Sequence, residues 1–243
     1  MTVVAIRLSG PLQSWGSGSR FVRRTTETAP TKSGVLGLVA AAKGIRRTDS
    51  IEDLLRLRMG VRIDQPGQLL RDFQTARRAE KARDGSVTWK SMPLSYRYYM
   101  ADATYLAVLE GEESLVRGID EALRSPEFPL YLGRRSCPPA GPVALGVYPY
   151  NLETALTELK WQASERYQRG RREKVLFLET VRDVEEGETP TESFRDQPAS
   201  FNPDQRLYTW RGVVRKPGDV RIDNPYGVAE PRPEHDPMSA LGG

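Results

Sequence analysis

Histidine and cysteine are almost missing from this chain, which holds only His235 and Cys137 in 243 residues. A single cysteine excludes a disulfide framework and a cysteine-ligated metal cluster. Asp72 and Asp102 have no further carboxylates nearby to complete a ligand set for a hard cation. No metal and no cofactor are therefore expected. Long hydrophobic runs are also missing, and nothing approaches the ~18 apolar residues of a membrane span. The opening residues Met1-Thr-Val-Val-Ala-Ile-Arg7 lack a signal-peptide layout, and Thr2–Leu8 reads as a central strand that starts at once. No internal repeat is visible. These absences point to a soluble cytoplasmic protein without membrane contact.

A nucleotide-binding loop is absent too. Lys32-Ser33 opens a helical pattern, but that loop needs a glycine just before the lysine and another five residues earlier. Thr31 and Thr26 occupy those positions. What remains is a helix over Pro30–Gly44, with Thr31 or Ser33 to cap it and Val35, Leu38, Val39 and Ala42 as its core stripe. Gly34, Gly37 and Ala41 form a second, side-chain-poor face. The amide-rich start beside Lys32 and Ser33 suits a phosphate.

Charge is present in abundance and unevenly placed. Residues 1–100 hold 18 Lys/Arg against 8 Asp/Glu, while the remaining residues hold 18 against 24. A basic N-terminal part interleaved with Trp, Tyr, Gln and Thr points to single-stranded nucleic acid. Gln13, Trp15, Arg20, Arg23 and Arg24 lie in a turn-rich loop expected to follow the first strand, although Trp15 also suits a loop anchor packed on the core. Two strand-like flanks around a charged, glycine-containing middle predict a long β-hairpin arm between Leu69 and Tyr99. It would be clothed in Arg71, Gln74, Arg77, Arg78, Lys81, Arg83 and Lys90, with Trp89 and Tyr96 able to stack.

Further strands are expected at Met59–Ile63, Ala103–Leu109 and Val143–Tyr148, with a helix at Glu112–Leu123. The order strand, helix, strand, strand, helix, strand predicts an α+β, ferredoxin-like body of the kind RNA-recognition domains use. Beyond 150, a helix at Leu152–Ser164 and strands at Lys174–Thr180 and Arg206–Arg215 read as an extension packed on that body. From Lys216 the composition turns to Pro, Gly, Asp and Glu and predicts a disordered tail.

Five stretches in fixed order carry a resemblance. They are Ile6-Arg-Leu-Ser-Gly-Pro-Leu-Gln-Ser-Trp-Gly16, Pro30-Thr-Lys-Ser-Gly-Val-Leu-Gly-Leu38, Arg71-Asp-Phe-Gln-Thr75, Tyr99-Met-Ala-Asp-Ala103 and Leu132-Gly-Arg-Arg-Ser-Cys137. Over about residues 1–215 the chain resembles the CasD family, the subunits of type I-E CRISPR surveillance complexes (Cascade) that hold the five-prime end of the guide RNA. The resemblance implies a non-catalytic RNA-binding subunit in antiviral defence. It also implies a ferredoxin-like palm, at 1–149, with a thumb hairpin inserted at about 71–98; the extension at 150–215 and the tail at 216–243 are read from the chain's own pattern and composition. Its implied partners are the five-prime handle of the CRISPR RNA, the Cascade backbone subunit and the large subunit, with target DNA met only through the assembly. On the matching stretches, side-chain chemistry selects Gln13, Trp15, Arg20, Arg23, Arg24, Lys32, Ser33, Arg71, Gln74, Arg77, Arg78, Tyr96, Tyr98, Arg134 and Arg135 as RNA contacts. Arg134 and Arg135 also suit structural ion pairs.

The alternative is a metal-independent endoribonuclease that processes CRISPR repeat RNA. Attack by a 2′-hydroxyl needs a placed acid and base, most often histidine, and His235 lies in the expected tail. Tyr98 and Lys32 are the remaining acid–base candidates. Cys137 has no histidine partner to make it a nucleophile.

Overall fold

The computed structural model describes residues 1–17, 23–202 and 207–228. Alternation in the first residues builds the centre of the molecule. β1 (Thr2–Gln13) sends Val4, Ile6 and Leu8 to one side of a sheet and Val3 and Ala5 to the other, and all five are enclosed. Side chains two apart share a face of a strand, so a strand apolar at every position requires a layer on each side. β2 (Arg23–Arg24) is short; α1 (Lys32–Ala42), α2 (Glu52–Leu55) and β3 (Arg58–Gln65) follow. α1 buries Val35, Leu36, Leu38, Val39 and Ala42 in the cluster that holds Val4, Ile6 and Leu8.

Next come β4 (Gln68–Gln74), β5 (Arg77–Lys81), β6 (Val87–Ser91) and the long β7 (Ser95–Gly111). α3 (Glu113–Arg124) adds Val116, Ile119 and Leu123 to the same layer as α1. β8 (Ala144–Tyr148) returns to β1. α4 (Leu152–Glu158) then covers the opposite face, where Leu152, Ala155 and Leu156 meet Val3, Ala5, Leu106 and Val108. α5 (Glu165–Gly170), β9 (Val175–Asp183), β10 (Glu192–Ser200) and β11 (Leu207–Asp223) complete the order. The strands line up as β10-β11-β9-β3-β7-β1-β8, and every neighbouring pair is antiparallel. No helix of the described residues is long and apolar enough to cross a membrane.

β3, β4 and β7 form one long hairpin that leaves the sheet. Gln65 opposes Thr104 and Gln68 opposes Ala101, so the register carries through the Pro66-Gly67 corner without a slip. Gly67 stands at φ +68, where a Cβ would lie 2.5 Å from the Ala101 carbonyl oxygen, so only glycine fits the bend. Opposite it Asp102 takes φ +55, and its carbonyl accepts a 2.6 Å hydrogen bond from Gln65 Nε2. Beyond Gln74 the arm continues as the β5–β6 pair, Arg77 opposite Ser91 through Lys81 opposite Val87. The expected arm is present.

Four expectations need correction. β1 does not end at Leu8 but runs through Pro11 to Gln13; β8 pairs only as far as Ile6, so Pro11 sits on an open edge that needs no N–H. The C-terminal part is not an extension stacked on the first body, because β9 pairs with β3 and carries the same sheet onward to β11 and β10. The expected tail from Lys216 is strand as far as Asp223: Val220–Asp223 pair with Val175–Leu178, and Val220 and Ile222 pack with Trp161, Leu176 and Leu178. Residues 229–243 lie outside the described part.

The helix expected over Leu152–Ser164 stops at Glu158 for a reason remote in sequence. Arg62, fully enclosed, donates to the carbonyls of Leu156 (2.6 Å), Leu159 (2.8 Å) and Lys160 (3.0 Å). These are the free acceptors of a helix end, and a guanidinium is the natural group to collect them. Asp64 holds Arg62 through bonds of 2.7 and 3.1 Å and accepts Gln162 N at 2.5 Å. Burial raises the Asp64 pKa, and this outweighs the lowering by Arg62.

Candidate nucleic-acid interface

The base of the hairpin presents two chemically different faces. Residues directly opposite on paired strands share a face, so Arg23, Arg71, Phe73, Tyr96 and Tyr98 stand together on one side. The Arg71 guanidinium lies 5.4 Å from the Tyr96 ring centre, and Phe73 is 64% exposed beside them. The other side carries Arg24, Asp72, Gln74 and Arg97. Arg134 is braced there, its guanidinium 4.7 Å from the Tyr99 ring and its Nη2 donating to the Arg24 carbonyl at 2.9 Å. Arg97 Nε and Arg134 Nη1 are enclosed with no hydrogen-bond partner among the described residues.

The distal part of the arm divides the same way. Arg77, Lys81, Val87 and Trp89 share one face, and Arg78, Glu80, Thr88 and Lys90 share the other. Glu80 pairs with Arg78 at 2.5 Å and Lys90 at 3.5 Å, so one carboxylate answers both cations of that second face and leaves it with a single net positive charge. On the first, no acid stands among its residues, and Trp89 is 62% exposed between the cations. An aromatic ring flanked by unpaired cations is what base stacking and phosphate contact require. Trp89, Lys81 and Phe73 were the residues sequence reasoning undervalued; period-two alternation through the arm was the signal that groups them.

Several expected contacts are instead parts of the core. Gln13 is fully enclosed, its Nε2 donating to the carbonyls of Leu8 (3.1 Å) and Ala103 (2.8 Å). Trp15 is enclosed too, its ring nitrogen donating to Gln13 Oε1 at 3.2 Å; the anchoring alternative holds. Gly34 is small because of that ring: a Cβ there would lie 2.8 Å from Trp15 Cε3. Changing Gly34 to alanine should cost about 1–3 kcal/mol by overpacking, read as a lower thermal or urea midpoint with no change in surface charge.

Lys32 is likewise withdrawn from any ligand. Its ammonium pairs with Asp183 at 2.8 Å, and its own N–H donates to Asp196 Oδ2 at 2.7 Å. The anion expected at the start of α1 is therefore the protein's own Asp196 carboxylate. Arg211 joins both acids, bonding Asp196 at 2.7 and 2.8 Å and Asp183 at 2.5 Å. Burial pushes the Asp183 carboxyl up, but Lys32 and Arg211 together outweigh it and hold it below the usual range. Enclosure of Lys32 also removes the Tyr98–Lys32 pair as an accessible acid–base couple. The Cys137 thiol is pushed up by burial, which suits packing rather than nucleophilic attack.

Ser33 is half-buried at the start of α1, and Arg135 is exposed. Arg20 and His235 lie outside the described residues. Among the described residues no three His, Cys, Asp or Glu side chains gather as a metal would need. The expected contacts left at the surface are Arg71, Gln74, Arg77, Arg78, Tyr96 and Tyr98 on the hairpin, Arg23 and Arg24 on the short strand paired to its base, and Arg134 and Arg135 on the loop before Cys137.

Residues 3–214 match the family model Cas_Cas5d, described as CRISPR-associated protein (Cas_Cas5). The chain belongs to the Cas5 family. Among Cas5 relatives, it is 32% identical over 155 residues to the CRISPR system Cascade subunit CasD of Escherichia coli (strain K12), a match spanning 58% of this chain and 69% of that protein. A chain of a structure titled CRISPR RNA-guided surveillance complex is similar with a TM-score of 0.74 and 27% identity, covering 98% of this chain and 97% of that one. A crystal structure of a Cas protein gives 0.65 and 34%, covering 95% and 100%. The Cas5 match reaches through β9 and β10 into β11, so the strands that prolong the sheet belong to the family's mixed α/β, mostly β architecture.

Proposed function

We propose that this Cas5 protein is a non-catalytic subunit of a CRISPR Cascade complex that holds the five-prime handle of the CRISPR RNA and caps the assembly's backbone. The likeness to CasD and to a chain of an RNA-guided surveillance complex supports the assembly. The observation that carries RNA binding is the row of exposed Arg23, Arg71 and Phe73 with half-buried Tyr96 and Tyr98, continued along the arm by exposed Arg77, Lys81 and Trp89. In this reading, β1, α1, β3, β7, α3 and β8 are a ferredoxin-like palm, supported by the order β3-β7-β1-β8, and the 71–98 arm is its thumb. The Cascade backbone and large subunits are the neighbours, and target DNA is met through the guide.

Retention of single-stranded RNA by the full chain, measured against salt, tests this reading. About five phosphate contacts predict a log–log slope near −3.5. A flat salt response, or specific cleavage of precursor repeat RNA in EDTA, would count against a non-catalytic RNA subunit.

A further inference from the structure

The acidic balance of residues 101–243 hides one exception. Residues 160–174 hold Lys160, Arg166, Arg169, Arg171, Arg172 and Lys174 against Glu165 and Glu173, and all six cations are exposed. The backbone that carries them, α5 and the turn into β9, is clamped. Asn224, 3% exposed, donates through Nδ2 to the carbonyls of Gln168 (3.1 Å), Arg171 (3.0 Å) and Glu173 (3.2 Å). Its own N–H donates to the Lys174 carbonyl at 2.8 Å, and that of Val228 donates to the Arg172 carbonyl at 2.9 Å. With these carbonyls fixed, the turn is a rigid base for its exposed side chains. Of the six cations, Arg169 alone is ion-paired among the described residues, to Glu165 at 2.7 Å. The rings are engaged as well. Arg171 lies 5.3 Å from the centre of the Tyr167 ring, which meets enclosed Trp161 edge-on, and Arg169 lies 4.3 Å from that of Tyr226. The hairpin row differs in presenting bare rings, with Phe73 64% and Trp89 62% exposed. Single strands use such rings for stacking, whereas a duplex keeps its bases stacked inside and presents phosphate at one charge per about 1.7 Å of axis. A protein partner needs an apolar centre to the contact, and residues 160–174 expose no apolar side chain.

We propose that this arginine-rich turn is a docking surface for the phosphate backbone of double-stranded DNA, independent of base sequence and separate from the hairpin's hold on single-stranded RNA. The inference goes beyond the function proposed above, in which DNA is met only through the guide; here the chain itself touches the duplex. Arg166, Arg171, Arg172 and Lys174, exposed and without ion-pair partners among the described residues, supply the contacts from the backbone that Asn224 holds.

The full-length chain is titrated with a short DNA duplex of mixed sequence at several salt concentrations. Replacing Arg166, Arg171, Arg172 and Lys174 by alanine should flatten the log–log salt slope by about 3.6, at about 0.9 per phosphate contact, and lower affinity by about tenfold or more. Retention of single-stranded RNA should change far less, and a second duplex of different sequence should behave as the first. Arg171→Glu with Arg172→Glu repeats the test should the fourfold variant fail to fold. Lys43, Arg46, Arg47 and Arg56, four exposed cations of the α1–α2 segment, are the matched set, and their loss should leave the duplex slope nearly unmoved. The proposal falls if the variants bind the duplex with the slope of the unaltered protein, or if the matched set flattens it equally. It falls too if polyglutamate displaces the duplex at equal concentration of charge, the mark of a surface for an acidic protein. An equal loss of RNA and duplex would also overturn it by making the turn part of the RNA surface, and would leave the RNA reading standing.

Discussion

Replacing Asp196 by alanine should destabilise the protein by about 3–5 kcal/mol, the range for removing one partner of a buried ion pair. The carboxylate is fully enclosed and accepts from Lys32 N, Arg211 Nε and Arg211 Nη2. Two acids, Asp183 and Asp196, balance two bases, Lys32 and Arg211, in one enclosed group. Without Asp196 the group carries an uncompensated positive charge, and the first amide of α1 loses its acceptor. The urea midpoint should fall with the slope of the transition unchanged, since the surface exposed on unfolding is the same. Asp196→Asn keeps an acceptor for Lys32 N and should lose less. A loss under about 1 kcal/mol for the alanine variant, the value of a surface pair, would show that these charges are not buried as described.

The same group sets the acid limb of stability. Asp183 titrates below its unfolded value, so its contribution is present above about pH 3.9 and disappears as pH falls through the lowered value. Asp64 runs the other way: its raised value means that its contribution is fully present below about pH 3.9 and lost as pH rises through the folded value. The two oppose each other above about pH 3.9, where the lowered value of Asp183 favours the fold and the raised value of Asp64 weighs against it.

What the sequence made legible follows from which signals are local. β1, α1, α3 and β7 carry their own periodicity, and each was expected near its observed place. The hairpin was legible because alternating cations and aromatics around a glycine tip have no other economical reading. β10 was missed because Glu192–Ser200 carries Arg195, Asp196 and Pro198, a composition hostile to a strand until Arg211 and Lys32 arrive from elsewhere to bury the aspartate. The end of α4 was missed for the same reason, since Arg62 terminates it from more than ninety residues away. Gln13, Trp15 and Lys32 show the limit at the site. An amide, an indole and an ammonium suit RNA as well as they suit a sealed polar core, and only the fold decides which they meet.

Neutralising Arg23, Arg71, Arg77 and Lys81 together to alanine should nearly abolish RNA binding while leaving the fold intact. Arg23, Arg71, Arg77 and Lys81 are all exposed, and exposed substitutions usually stay within about 0.5 kcal/mol. Each phosphate contact removed should flatten the log–log salt slope by about 0.7, so the slope should move from near −3.5 to near −0.7. The matched control is Arg78→Ala with Lys90→Ala on the opposite face of the arm. Those cations already answer Glu80, and their loss should change the slope by far less than the half that removing two charges instead of four would give. Trp89→Ala alone should cost about 1–3 kcal/mol, or about tenfold or more in affinity, from the loss of a base stacked on its exposed ring, without moving the slope. That separation distinguishes a surface that reads RNA from one that is merely basic. A generic positive surface would respond to total charge, so the two cation sets would scale with the number of charges removed and Trp89 would be silent.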